Sequence, residues 1–190
     1  MSIILGINET THDASVSLIK NGEILFAGHA ERYSKQKNDW FTNRELIKDA
    51  IQYGYPDQIA YYEKPLLKRL RVKARGGFGG DKPWFQNTEL SSLPRTNFNH
   101  HYSHACAGYY TSPFDNAVIV VLDAIGEFNT STIWVGKGDK IKLKYNVSFV
   151  KDVSLFTIRH AVEKVITLVE DKEVVLLKQD TKGTVQLVVQ

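Results

Sequence analysis

SIILGINETTHDASVSLIKNGEILFAGHAER, residues 2–32, decides the fold. Its first seven residues form an apolar run suited to a buried strand, and ASVSLIK (14–20) then alternates apolar and polar side chains. Asn21-Gly22 supplies a tight turn with positive φ, after which EILFAGHAER (23–32) returns as a third strand. A first strand followed by a β-hairpin is therefore expected.

Helices are expected to interleave with further strands, which makes the chain α/β. Thr42 and Glu45 have the spacing of a capping box. Leu46, Ile47, Ala50 and Ile51 make an apolar stripe, and Gly54 and Pro56 stop that helix. DQIAYYEKP (57–65) reads as a short strand ended by proline. KPLLKRLRVKAR (64–75) carries six basic side chains and no acidic one, so it reads as a solvated basic segment, and GGFGGDKP (76–83) as a loop. The glycines there lack the strand-before, helix-after setting of a phosphate loop. AVIVVLD (117–123) is the clearest buried strand. AIGE (124–127) turns the chain, and STIWVGKGDKIKLKY (131–145) forms a hairpin through Gly138-Asp139. Beyond residue 146 the character changes. Ile158, Val162, Val165, Ile166 and Val169 have helical spacing, and EVVLLKQ and TVQLVVQ read as a last hairpin around residues 180–183.

Composition narrows the possibilities. With 43% hydrophobic residues, the 190-residue chain can build a real core. No apolar run approaches the roughly 18 residues a membrane helix needs, and the N-terminus lacks the basic segment of a signal peptide. The lone Cys106 excludes an internal disulfide and fits a reducing cytoplasm, the expected location. A net charge of +3 is too small to argue for nucleic acid or membrane.

Chemistry concentrates in NHHYSHACAGYYTS (99–112), where three of the six histidines fall within five positions. On a helix His100 and His104 share a face, whereas His101 is turned by about 100°. Two imidazoles at this spacing make a metal half-site for zinc, iron(II) or manganese. Asp123, at the end of a buried strand, is a plausible third ligand. Such pairs also occur as surface or capping histidines, so spacing alone leaves the choice open. The turn NETTHDAS (8–15) offers backbone N–H groups for phosphate oxygens and a histidine, His12, suited to proton transfer. On spacing alone, however, Asn8, Thr10, Thr11 and Asp13 are ordinary turn formers and His12 an exposed neighbour. Lys37 is an ordinary solvated charge, or else a group that neutralises phosphate oxygens.

ILGINETTHDASVSLIKNGEILFAGHAERYSKQKND, AYYEKP, NHHYSHA and VIVVLDAIGE, in this order and spacing, resemble the O-carbamoyltransferase family of nodulation-factor and antibiotic-tailoring enzymes. The resemblance covers residues 2 to about 140. It implies an actin-like ATPase (ribonuclease H-like) lobe, with a mixed β-sheet flanked by helices, related to the enzymes that make threonylcarbamoyladenosine in tRNA. Carried over by motif, the metal ligands fall on His100, His104 and Asp123, with Fe(II) or another divalent metal as cofactor. His12 becomes the general base and Lys37 a contact to the carbamoyl or phosphate group. Asn8, Gly126 and Glu127 become contacts to the nucleotide, ATP or carbamoyl-adenylate. His101 becomes a supporting or structural residue.

Two departures accompany the resemblance. Ala124 stands where the family has glycine, and residues 147–190 match no later segment of the family. The expected organisation is therefore an N-terminal lobe over 1–146 and a tail of helix plus hairpin over 147–190, from a split, truncated, frameshifted or naturally short form. The expected function is the N-terminal part of an ATP-dependent O-carbamoyltransferase. It would move a carbamoyl group from carbamoyl phosphate to a hydroxyl of a sugar-like acceptor, and be weak or inactive without a companion chain. The alternatives are threonylcarbamoyl transfer to tRNA adenosine, or a non-catalytic module that binds metal, nucleotide or a partner.

Overall fold

The structure, a computed structural model, describes residues 2–74, 76–77, 85, 88–148, 174–179 and 185–189, with side chains to residue 146 apart from 89, 124 and 125. The helix expected over 158–169, the turn at 180–183, most of the loop at 76–83 and the side chain of Ala124 lie outside the described residues. The chain divides into two compact units, Met1–Phe98 and Asn99–Gln190. The expected boundary at 146/147 falls inside a strand of the second unit, Lys140–Ser148.

The first unit is built on five strands. These are β1 (Ile3–Asn8), β2 (Ser15–Lys20), β3 (Glu23–His29), β4 (Gln58–Tyr61) and β5 (Arg95–Asn97). Their order is β3-β2-β1-β4-β5, with β1 parallel to β4 and β4 to β5, while β2 is antiparallel to both of its neighbours. The hairpin turns at Asn21 and Gly22, at φ 52° and 85°, the left-handed conformation that asparagine and glycine tolerate best. Leu5, Ile7, Val16, Leu18, Ile59 and Tyr61 alternate into the core, and α2 (Arg44–Ile51) covers it with Leu46, Ile47 and Ala50. The three-residue β5 had no sequence signal, being too short to show alternation.

Three local expectations need correction. The third strand stops at His29, and residues 30–34 form a short helix, α1 (Ala30–Ser34). The capping box at Thr42 does not form. Asn43 caps α2 by accepting from Leu46 N–H, because Thr42 is engaged elsewhere: its N–H and hydroxyl both donate to the buried Glu9, at 3.1 and 2.8 Å. The basic run is helical, α3 (Pro65–Ala74), with proline at its first position, where a missing N–H costs nothing. It is not wholly solvated, since Lys68 is 8% exposed.

The second unit opens with α4 (His100–Tyr110), capped by the Asn99 side chain accepting from Tyr102 N–H. An antiparallel sheet follows, made of β6 (Asn116–Gly126), β7 (Asn129–Lys137), β8 (Lys140–Ser148), β9 (Val174–Gln179) and β10 (Val185–Val189). The order is β8-β7-β6-β10-β9. Strand β6 runs past Asp123 to Gly126, three residues beyond the end expected. Because side chains alternate along a strand, Ala117, Ile119 and Val121 pack with Ala105 and Tyr109 of α4, while Val120 packs on the other face with Ile133. Asp123 is the next odd position on the α4 side. Gly136 is required opposite Tyr109, whose ring a Cβ would strike.

Candidate metal centre and proton-transfer turn

Period 3.6 on α4 and period 2 on β6 together assemble a site. His101, Ala105 and Tyr109 face the sheet, which leaves His100 and His104 side by side one position earlier, at the rim. Asp123 approaches from β6. His100 Nε2 lies 2.9 Å from Asp123 Oδ2 and 3.1 Å from His104 Nε2. All three potential ligand atoms fall within 4.8 Å of one another. Two ligand atoms bound at right angles to one ion, each about 2.1 Å from it, sit roughly 3.0 Å apart. Both short separations therefore fit neighbouring corners around a single divalent ion, with further positions open.

The electrostatics suit a cation. Burial works to raise the Asp123 carboxyl pKa, but the hydrogen bond from His100 and the charges of His100, His104 and His101 outweigh it and hold it at about 2. Asp123 is thus a carboxylate at neutral pH. His101 is fully buried, with Nδ1 2.9 Å from Thr132 Oγ1, which itself accepts from Trp134 Nε1 at 2.8 Å. Burial and then the His100 charge push the His101 pKa down to about 4, although Asp123 works the other way, so its ring is neutral at pH 7. His101 is a core residue that seats the helix.

Gly126 and Glu127, expected at a nucleotide, have structural duties in this same unit. A Cβ on Gly126 would collide with the His100 ring and come within 2.6 Å of His101 Cδ2. The absent side chain is the seat on which both rings rest. Glu127, 3% exposed and at φ 55°, accepts from Asn99 Nδ2 at 2.7 Å. Its carboxylate thereby braces the cap of the histidine helix, at the end where negative charge is favoured. Asn99 and Thr132 gave no sequence signal, because their contacts to Glu127 and His101 join distant elements.

The first unit presents the turn after β1. His12 Nδ1 is 2.6 Å from Asp13 Oδ2. An ionised carboxylate only accepts, so the neutral ring carries its proton on Nδ1 and its lone pair on Nε2. Asn8 Nδ2 donates to the Asp13 carbonyl at 3.1 Å, which ties the ends of the turn together. Asp13, dismissed on spacing as a turn former, thus orients His12. Thr10 sits at φ 72°, rare for a β-branched residue. It is clamped there: its N–H donates to Trp40 O at 2.6 Å, and Lys68 Nζ donates to its carbonyl and hydroxyl at 2.8 and 3.0 Å. Lys68 also donates to Glu63 Oε1 at 2.8 Å, forming a buried ion pair beneath the turn. The spacing of Glu63 and Lys68 across Pro65 gave no hint of this pair. Lys37 is exposed.

The family described as "Carbamoyltransferase N-terminus" matches residues 60–164, more than half of the 190. The chain belongs to this family. The matched span holds α4, β6 and the three potential ligands, and it crosses the 146/147 boundary. Among curated proteins similar to this chain, uncharacterized protein sll1178 of Synechocystis is 28% identical over 188 residues, covering 82% of this chain and 31% of that protein. Nodulation protein NolNO of Sinorhizobium fredii is 26% identical over 154 residues, covering 71% of this chain and 23% of that one. Uncharacterized protein MJ1051 of Methanocaldococcus jannaschii is 32% identical over 125 residues, with 66% and 23% covered. The chain spans between about a quarter and a third of the length of these relatives. No helix among its described residues is long and apolar enough to cross a membrane.

Proposed function

We propose that the chain supplies the metal-binding, N-terminal part of an ATP-dependent O-carbamoyltransferase that works through a carbamoyl-adenylate. The observation that carries this reading is the convergence of His100, His104 and Asp123 in a chain of this family. The mixed sheet of the first unit and its helices support an actin-like lobe. An Fe(II) or similar ion held by the three ligands would supply positive charge to phosphate oxygens. His12, with Nδ1 held by Asp13, would take the acceptor's hydroxyl proton at Nε2. The freed oxygen would bond to the carbamoyl carbon as the bond from that carbon to the phosphate oxygen breaks, releasing AMP. Lys37, exposed and cationic, suits the charged end of the donor. Asn8 would act by holding the turn. Gly126 and Glu127 would act by positioning the histidines, with any nucleotide contact made by their backbone.

Carbamoyl phosphate and ATP are the proposed donors and a small hydroxylated, sugar-like molecule the acceptor. A cytoplasmic setting is part of the same reading, supported by the single cysteine. The metal assignment is tested by measuring iron bound to the wild type, His100→Ala and His104→Ala. Each variant is expected to lose at least tenfold in affinity, and unchanged occupancy would sink the assignment. A companion polypeptide carrying the rest of such an enzyme is also proposed as partner. Mixing the chain with the C-terminal portion of a relative should then yield carbamoylated product. A mixture no more active than either component would count against that partner.

A further inference from the structure

A second cluster of metal-ligating groups lies in the first unit, and of its members only Asp13, through His12, has a part in the scheme above. Asp13, His29 and Glu31 each place one ligand atom within 4.8 Å of the others. We propose that these three residues form a second divalent-cation site, separate from His100, His104 and Asp123.

The backbone brings them together. Ser15 pairs with His29 across β2 and β3, and Ala30 N–H donates to Ala14 O at 2.7 Å. Those two bonds hold the residue before β2 against the residues that end β3 and begin α1. All three therefore emerge at one end of the sheet, where β1 finishes. That is where open α/β sheets hold their ligands.

The side chains point to an ion rather than to one another. Neither carboxylate forms a hydrogen bond or ion pair with His29. His29 Nδ1 is sealed from solvent and has no hydrogen-bond partner among the described residues. Asp13 spends Oδ2 on His12 and keeps Oδ1 available. Glu31 accepts from Asn38 N–H at 3.3 Å. The cation nearest to it is Arg32, at 3.5 Å on a side chain 80% exposed, a pairing worth little in water. Two converging carboxylates thus carry charge that no buried lysine or arginine of the described residues offsets. The Asp13 and Glu31 side chains are each 23% exposed, so an ion can enter from solvent.

The donor set chooses the class of ion. Two carboxylates and one imidazole are harder than two imidazoles and one carboxylate, and they favour manganese-like or zinc-like divalent ions with open positions left for water. Asp13 would then join the ion to His12, its Oδ2 orienting the ring while Oδ1 binds metal.

Mn(II) titrated into the full chain, with free ion counted by electron paramagnetic resonance, tests the proposal. Wild type should bind two ions. His29→Ala and the near-isosteric Glu31→Gln should each bind one, with at least a tenfold loss at this site, and His104→Ala should retain this one. Circular dichroism of both variants in chelator should match wild type. A wild type that binds one ion, lost in Glu31→Gln but kept in His104→Ala, would support this site and overturn the other. Wild-type stoichiometry in both His29→Ala and Glu31→Gln, or no ion bound to His104→Ala, would overturn the proposal.

Discussion

Gly126→Ala should weaken divalent-metal binding at His100, His104 and Asp123 by about 10–100-fold, although Gly126 offers no ligand. The new methyl would occupy the space where the His100 and His101 rings lie. Those rings cannot retreat freely, because His101 is anchored to Thr132 and α4 is packed on β6 through Ala105 and Tyr109. The helix must shift outward, and a displacement of a few tenths of an ångström is enough to spoil ligand atoms now about 3 Å apart. Gly138→Ala makes the control. It too adds a methyl to a turn-forming glycine, at φ 57°, but meets nothing within 4 Å. It should cost about 1 kcal/mol of stability and leave metal affinity unaltered. Equilibrium titration of both variants with Fe(II) or Mn(II) decides the matter. Equal affinities for Gly126→Ala and wild type would show that the rings do not rest on this residue.

Lys68→Met should destabilise the first unit by about 3–5 kcal/mol, the usual cost of removing one partner from a buried ion pair. Glu63 is 2% exposed and would lose its cation, while the Thr10 carbonyl and hydroxyl would lose their donor. The double variant Lys68→Met, Glu63→Gln should recover much of the loss, since Glu63 then leaves no unpaired charge of its own inside. Lys73→Ala, on the exposed part of the same helix, should stay within about 0.5 kcal/mol of wild type. Hydrogen exchange of the β1 and β4 amides reports this unit alone. Lys68→Met amides as protected as those of wild type would mean that the pair is not what holds the turn.

The legible parts of the chain were those governed by local periodicity. The alternation of residues 14–20, the Asn21-Gly22 turn and the run at 117–123 announced β1 to β3 and β6 directly. The i, i+4 spacing correctly separated His100 and His104 from His101, since that distinction needs only a helix. What failed did so where a distant partner outranked a local preference. Thr42 is a good cap by type, but Glu9, 33 residues earlier, claims its hydroxyl. Lys68 sits in a run that looks solvated, yet Glu63 and Thr10 draw it inside. Gly126 carries a family motif, but its steric service to two imidazoles appears only when β6 is laid against α4.

The alternation that places Ile119 and Val121 in the core and Asp123 beside His100 has a thermodynamic corollary. A slip of one residue in the pairing of β6 would send all three to the opposite face. An ion on the three ligands can thus stabilise one pairing only, by about 2.7 kcal/mol at a hundred times its dissociation constant. Core packing and an ion on these ligands would impose the same test on the same strand, so the metal would proofread sheet register as well as serve as a reagent.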